Sequence, residues 1–95
     1  MLKVKTETMP SVLYLNLRRK YFADIAAGTK RIEYRDRKSY WKKRLEGRQY
    51  DVIKFRNGYA TNAPEMLVEF RGLRKRGTSY EILLGRVLKI KRWKP

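Results

Sequence analysis

Apolar residues recur along this chain in two rhythms, and the rhythm changes at recognisable stop signals. From Ser11 to Leu17, Leu13, Leu15 and Leu17 alternate with Val12, Tyr14 and Asn16, which predicts a strand. Both faces of that strand are largely apolar, so it is expected to have cover on both sides. From Arg18 to Ala27, Tyr21, Phe22, Ile25 and Ala26 fall on one side at helical spacing, which predicts a helix. Arg18, Arg19 and Lys20 crowd its first turn against the helix dipole, a small cost that a bound anion would offset. Gly28 then supplies a left-handed stop.

The segment Lys30 to Asp36 reads as a strand of alternating charge. Such a strand cannot bury both faces, so one face must present its charges to water or to a ligand. Strict alternation puts Glu33 and Arg35 on one face. Lys30 joins them only if it still lies in the turn after Gly28. Arg37 to Gly47 reads as a short basic helix with Ser39 as its N-cap. There Trp41 and Leu45 share a face among Lys42, Lys43 and Arg44. Tyr50 to Arg56 is a strand with Ile53 and Phe55 on one side, and Asn57-Gly58 is a turn. A polar loop, Tyr59 to Pro64, leads to an alternating strand, Glu65 to Leu73, with Met66, Val68 and Phe70 on one side. Arg74 to Ser79 reads as a basic turn around Gly77. Tyr80 to Trp93 reads as a last strand too long to be flat, with Gly85 marking a bulge or bend. The prediction is an α+β fold of five strands and two short helices, strongly bent and closed into a small barrel. Residues 1–10, ending at Pro10, read as a loose start to a single domain covering residues 1–95.

Composition narrows the chemistry. The chain has no cysteine and no histidine, which removes thiol chemistry, the usual neutral-pH general base and the commonest zinc ligands. Asp24, Asp36 and Asp51 are scattered among cations, so neither a metal site nor a cofactor is expected. No apolar run approaches membrane-spanning length, and residues 1–10 lack a signal peptide's apolar core. The expectation is a cytoplasmic monomer with no membrane partner.

Charge changes the picture most. Lys and Arg total 25 against 9 Asp and Glu, a net charge of +16 distributed along the whole chain. A surface so basic is tolerated more easily when a polyanion neutralises it. RNA is the partner expected, and the alternative is a solvated basic surface of the kind found in ribosome- or partner-associated modules. Lys30 offers a point charge for a phosphate, and Arg35 can fork onto a phosphate or a guanine edge. Glu33 can accept from a base amino group or hold Arg35 in place. The bland alternative is that Glu33 and Arg35 form a surface pair worth little. Tyr40, Trp41, Tyr50 and Tyr59 are interleaved with basic residues, a pattern suited to stacking on single-stranded bases. Trp41 reads as core, because Leu45 shares its face. Tyr59, beside a turn glycine, reads as an exposed platform. Arg37, Arg56 and Asn57 complete the candidate binding set.

The run Gly28-x-Lys30-x-x-Glu33-x-Arg35 follows a helix with Tyr21 and Ile25. Further on come a strand ending in Asn57-Gly58 and then Glu81-x-x-x-Gly85. In this pattern, over roughly residues 11–92, the chain resembles the ASCH domain, a branch of the PUA-like β-barrel superfamily. The resemblance implies a barrel of five to six strands with helices at its open ends. It also implies a cleft beside that motif where RNA or a nucleotide binds. Lys30 and Arg35 match the family's lysine and arginine, and Glu33 stands where many members have glutamate. Some small relatives hydrolyse acetylated cytidine, and others are ribonucleases, so Lys30 and Glu33 would be the catalytic candidates if this chain were an enzyme. The deacetylating relatives carry a threonine nucleophile where Glu33 stands and a catalytic glutamate in a stretch that here, Arg74 to Ser79, has no acid. A carboxylate cannot replace that hydroxyl in acyl transfer, so binding is expected in preference to catalysis.

Overall fold

The structure, a computed structural model, describes residues 9–95. The loose start expected for residues 1–10 therefore falls mainly outside the described residues. Five strands and two helices follow in order: β1 (Val12–Asn16), α1 (Arg19–Ala26), β2 (Ile32–Asp36), α2 (Ser39–Leu45), β3 (Val52–Arg56), β4 (Glu65–Arg76) and β5 (Ser79–Lys91). The strands form one sheet in the order β1-β3-β4-β5-β2, curled into a half-barrel. Pairing of β1 with β3 is parallel, and the other three pairings are antiparallel.

The alternation read from the sequence decides which side of this sheet is filled. Leu13, Leu15, Ile53, Phe55, Met66, Val68, Tyr80, Ile82 and Leu84 line its inner face, and Phe22, Ile25 and Leu45 from the helices complete the same core. Burying each large aliphatic contributes about 1.5–3 kcal/mol. Trp93, beyond β5, turns back so that its ring lies 4.8 Å from that of Phe22. The guanidinium of Arg19 also lies over the Trp93 ring, at 4.6 Å.

Four expectations need correction. β1 is not covered on both sides: it is a sheet edge, and Tyr14 on its outer face is exposed. Tyr21, placed with the core face of α1, is also exposed, and only Phe22 and Ile25 of that helix are buried. Ser39 is the first residue of α2 rather than its cap, and Lys38 in the cap position makes no side-chain capping bond. Finally, β4 runs on to Arg76, so that a two-residue turn, Gly77-Thr78, replaces the longer basic turn. Arg74 and Arg76 stay extended because both reach Glu81 of β5, at 2.9 and 3.1 Å.

The bend expected at Gly85 is present. The β4–β5 register slips between Val68 and Phe70, opposite residues 85 and 86. Glu69 reaches across at this point and accepts the Arg86 amide N–H at 2.9 Å. A Cβ at position 85 would sit 2.9 Å from the Glu69 Cβ, so only glycine lets that side chain pass. Further slips on either side bend the two long strands, and the sheet curls with them.

Among the described residues the curl does not close into a barrel by strand pairing, because β1 and β2 remain its two edges. A side chain spans the opening instead. Arg35 of β2 donates from Nη2 to the Asn16 carbonyl of β1 at 3.1 Å.

Candidate functional site

The opening between β1 and β2 is where the chain's chemistry collects. Gly28, at φ 83°, ends α1 in the left-handed region that glycine adopts without a side-chain penalty. The following residues turn tightly: the Thr29 and Lys30 amides both donate to the Asp24 carbonyl, at 3.0 and 3.1 Å. Lys30 therefore lies before β2 begins, in the turn, and is not bound by strand parity. Its ammonium reaches Glu33 Oε1 at 3.3 Å. Arg35, two residues beyond Glu33 and on the same face, pairs with Glu33 Oε2. The three residues meet, with Glu33 in the middle.

This is not a loose surface pair. Glu33 is 5% exposed, and the Lys30 and Arg35 side chains are 17% and 16% exposed. Arg35 also donates from Nη1 to the Tyr34 carbonyl at 2.8 Å, and its guanidinium lies over the Trp41 ring at 5.1 Å. The Lys30 ammonium sits near two tyrosine rings, 5.4 Å from Tyr21 and 5.1 Å from Tyr34. These contacts fix both cations in place, and Glu33 balances one of their two charges.

Arg35 and Asn16 divide the opening into two cavities. One, of about 520 Å³, is lined by Tyr14, Tyr40, Trp41, Lys54, Arg56 and Tyr59. The other, of about 480 Å³, is lined by Arg18, Tyr21, Lys30, Glu33 and Tyr34. Of the chain's seven tyrosines, Tyr14, Tyr21, Tyr34, Tyr40 and Tyr59 all line this seam and are all exposed. Among the described residues Lys54 and Arg18 have no carboxylate partner, and Glu33 is the one carboxylate in either lining. The result is a donor-rich groove with aromatic walls.

The remaining sequence candidates divide. Tyr59 is 87% exposed at the groove's rim. Arg56 lines the same cavity. It donates from Nη2 to the Ala60 carbonyl at 2.6 Å, and its Nε lies 3.2 Å from Glu65 without hydrogen-bond alignment. Asn57 donates its side-chain amide to the Leu17 carbonyl at 3.0 Å, so it ties the loop to β1. Beside it, Asn16 and Gly58 exchange two hydrogen bonds, at 2.9 and 3.2 Å. Arg37 lies outside both cavities and donates to the Gly77 carbonyl on the β4–β5 hairpin at 2.9 Å. Sequence reasoning passed over Tyr14, Tyr21 and Tyr34 as groove residues. The signal present was a tyrosine at an outward position of each edge strand, Tyr14 of β1 and Tyr34 of β2, with Tyr21 on the helix between them.

Among the described residues no serine or threonine lines either cavity, and the Thr29 hydroxyl is turned to the Asp24 carbonyl at 3.1 Å. Among the described residues no cluster of acidic side chains is placed to hold a metal ion. Nor is any helix there long and apolar enough to cross a membrane. The shifted titrations lie away from the seam. The Tyr80 hydroxyl donates to Glu46 Oε2 at 2.6 Å. That bond holds the Glu46 carboxyl below the ordinary carboxylate range, with Lys75 adding to the effect. The same bond pushes Tyr80 above the ordinary phenol value. Glu69 is lowered by the Arg86 amide and by Arg71.

No family model matches the chain, and neither does any curated protein or solved structure.

Proposed function

We propose that this chain is a binding module for RNA or a nucleotide-like ligand, held in the groove between β1 and β2. The observation that carries the reading is the gathering of five exposed tyrosines around a fixed Lys30–Glu33–Arg35 cluster. Base–aromatic stacking supplies about 1–3 kcal/mol per base and tolerates any base. Single-stranded nucleic acid fits such a wall better than a duplex, whose bases are stacked on one another. Lys30 and Arg35 hold phosphate or base, Glu33 orients Arg35, and Lys54 and Arg56 track the backbone. The net charge of +16 brings the polyanion in.

On this reading the half-barrel is the ASCH branch of the PUA-like fold. Support comes from the place of Gly28-x-Lys30-x-x-Glu33-x-Arg35 between α1 and β2 and from the cleft beside it. A cytoplasmic monomer goes with the same proposal. Binding is favoured over acyl transfer because no serine or threonine among the described residues lines the groove and Glu33 is already shared by two cations.

The test is fluorescence anisotropy with a labelled U10 oligonucleotide over a range of salt. Neutralising about six phosphates on a single strand predicts a slope of log K against log salt near −4. Affinity that stays flat between low and moderate salt rules the proposal out.

A further inference from the structure

We infer that Arg35 reads guanine at the seam, in preference to adenine. The inference rests on the nucleic-acid reading above and adds a base preference to it. A guanidinium has five N–H donors. Arg35 spends three of them, on Glu33, on the Tyr34 carbonyl and on the Asn16 carbonyl. Its Nε–H and one Nη2–H have no partner among the described residues.

The rest of the guanidinium cannot turn away. Glu33 and the carbonyls of Tyr34 and Asn16, on two strands, hold its N–H groups, and its Cζ lies over the Trp41 ring at 5.1 Å. A planar donor so fixed, at the boundary of two open cavities, suits a ligand edge with two adjacent acceptors. Guanine carries such an edge in O6 and N7. Adenine presents N7 beside an amino group, and that amino group needs an acceptor. The acceptors that flank Arg35 are each engaged by a cation: the Asn16 and Tyr34 carbonyls each accept from Arg35, and each Glu33 oxygen takes one cation. The Asn16 side-chain amide is spent on Gly58 in both directions. An adenine amino group at this point therefore faces the unspent Arg35 N–H donors and can be accepted only by sharing an oxygen that a cation already holds. Tyr34 and Tyr40, one in each cavity, are open rings on which the base can stack.

The experiment uses the full chain and three labelled decamers: U10, U10 with one central guanosine, and U10 with one central adenosine. The guanosine decamer is expected to bind about tenfold tighter than the adenosine decamer, in line with one bidentate contact. Replacing the guanine by 7-deazaguanine removes the N7 acceptor alone and is expected to bring affinity down toward that of the adenosine decamer. Equal affinity for guanosine and adenosine overturns the inference and leaves the nucleic-acid reading standing, with Arg35 on phosphate. A guanosine preference that survives 7-deazaguanine also overturns it, because N7 then plays no part. Failure of all three decamers to bind at low salt overturns the inference together with the reading beneath it.

Discussion

Two buried glutamates lie on neighbouring strands, one register step apart, and they have opposite surroundings. Glu33 of β2 pairs with Ile82, and Glu81 of β5 pairs with Tyr34. Each is 5% exposed, and each is gripped by two cations. Around Glu81 the cations are Arg74 and Arg76, whose side chains are 51% and 71% exposed. Their heads stand in water, and their pairing staples a hairpin. Around Glu33 the cations, Lys30 and Arg35, are only 17% and 16% exposed and line cavities. An ion pair covered by its partners is a structural fastening. One whose partners are largely buried with it costs more to break, because a cation left without its anion there is poorly solvated.

The largest test of that contrast is removal of each carboxylate's charge. Glu33→Gln leaves Lys30 and Arg35 together with no anion between them, and stability should fall by about 3 kcal/mol. Glu81→Gln frees two arginines that can turn to solvent, and should cost about 1 kcal/mol or less. Urea unfolding of both variants gives the comparison, and equal losses would erase the distinction. A smaller effect separates the two regions by affinity. Tyr59→Ala should weaken U10 binding by about 1–3 kcal/mol and leave stability unchanged, because the ring is exposed. Lys75→Ala, on the hairpin, should weaken it by roughly 0.5 kcal/mol or less, as loss of one distant charge. If Lys75 matters as much as Tyr59, the groove is not the binding surface.

The smallest effect lies where the hairpin meets α2. Glu46 has its folded pKa lowered, chiefly by the Tyr80 hydroxyl. Its contribution is therefore present above the ordinary glutamate value of about 4.3 and lost as pH falls through the lower folded value. Tyr80 is raised by the same bond, so its contribution is present below the ordinary tyrosine value of about 10 and lost as pH rises through the folded value. Glu46→Gln should flatten both limbs of the stability–pH curve. Unchanged limbs would mean that the contact adds nothing.

Much of the architecture was legible in the sequence because period-two alternation is local. Leu13 and Leu15, Ile53 and Phe55, and Met66 and Val68 fell on the buried side as their spacing required, and Gly85 stood where the register slips. Several of the misses share one cause, which is that they depend on partners outside the segment being read. Tyr14 looked coverable because nothing in Ser11 to Leu17 says that β1 will be an edge. Arg74 and Arg76 looked like a turn because their extended state depends on Glu81. The Lys30–Glu33–Arg35 cluster was readable as a motif, but its bridge to Asn16 depends on strand order. Asn57 and Arg37 were plausible ligand arms by residue type, and their hydrogen bonds to Leu17 and Gly77 could not be read from spacing.

The Arg35–Asn16 bridge also bears on when the groove can come into being. The β4–β5 hairpin closes through two residues and is cheap in loop entropy, whereas β1 must find β3 across an intervening helix, strand and helix. Arg35 and Asn16 lie on the two outermost strands, so they can meet only after every pairing between them has formed. The groove is thus assembled last, and a partly folded chain presents its positive charge without the cleft.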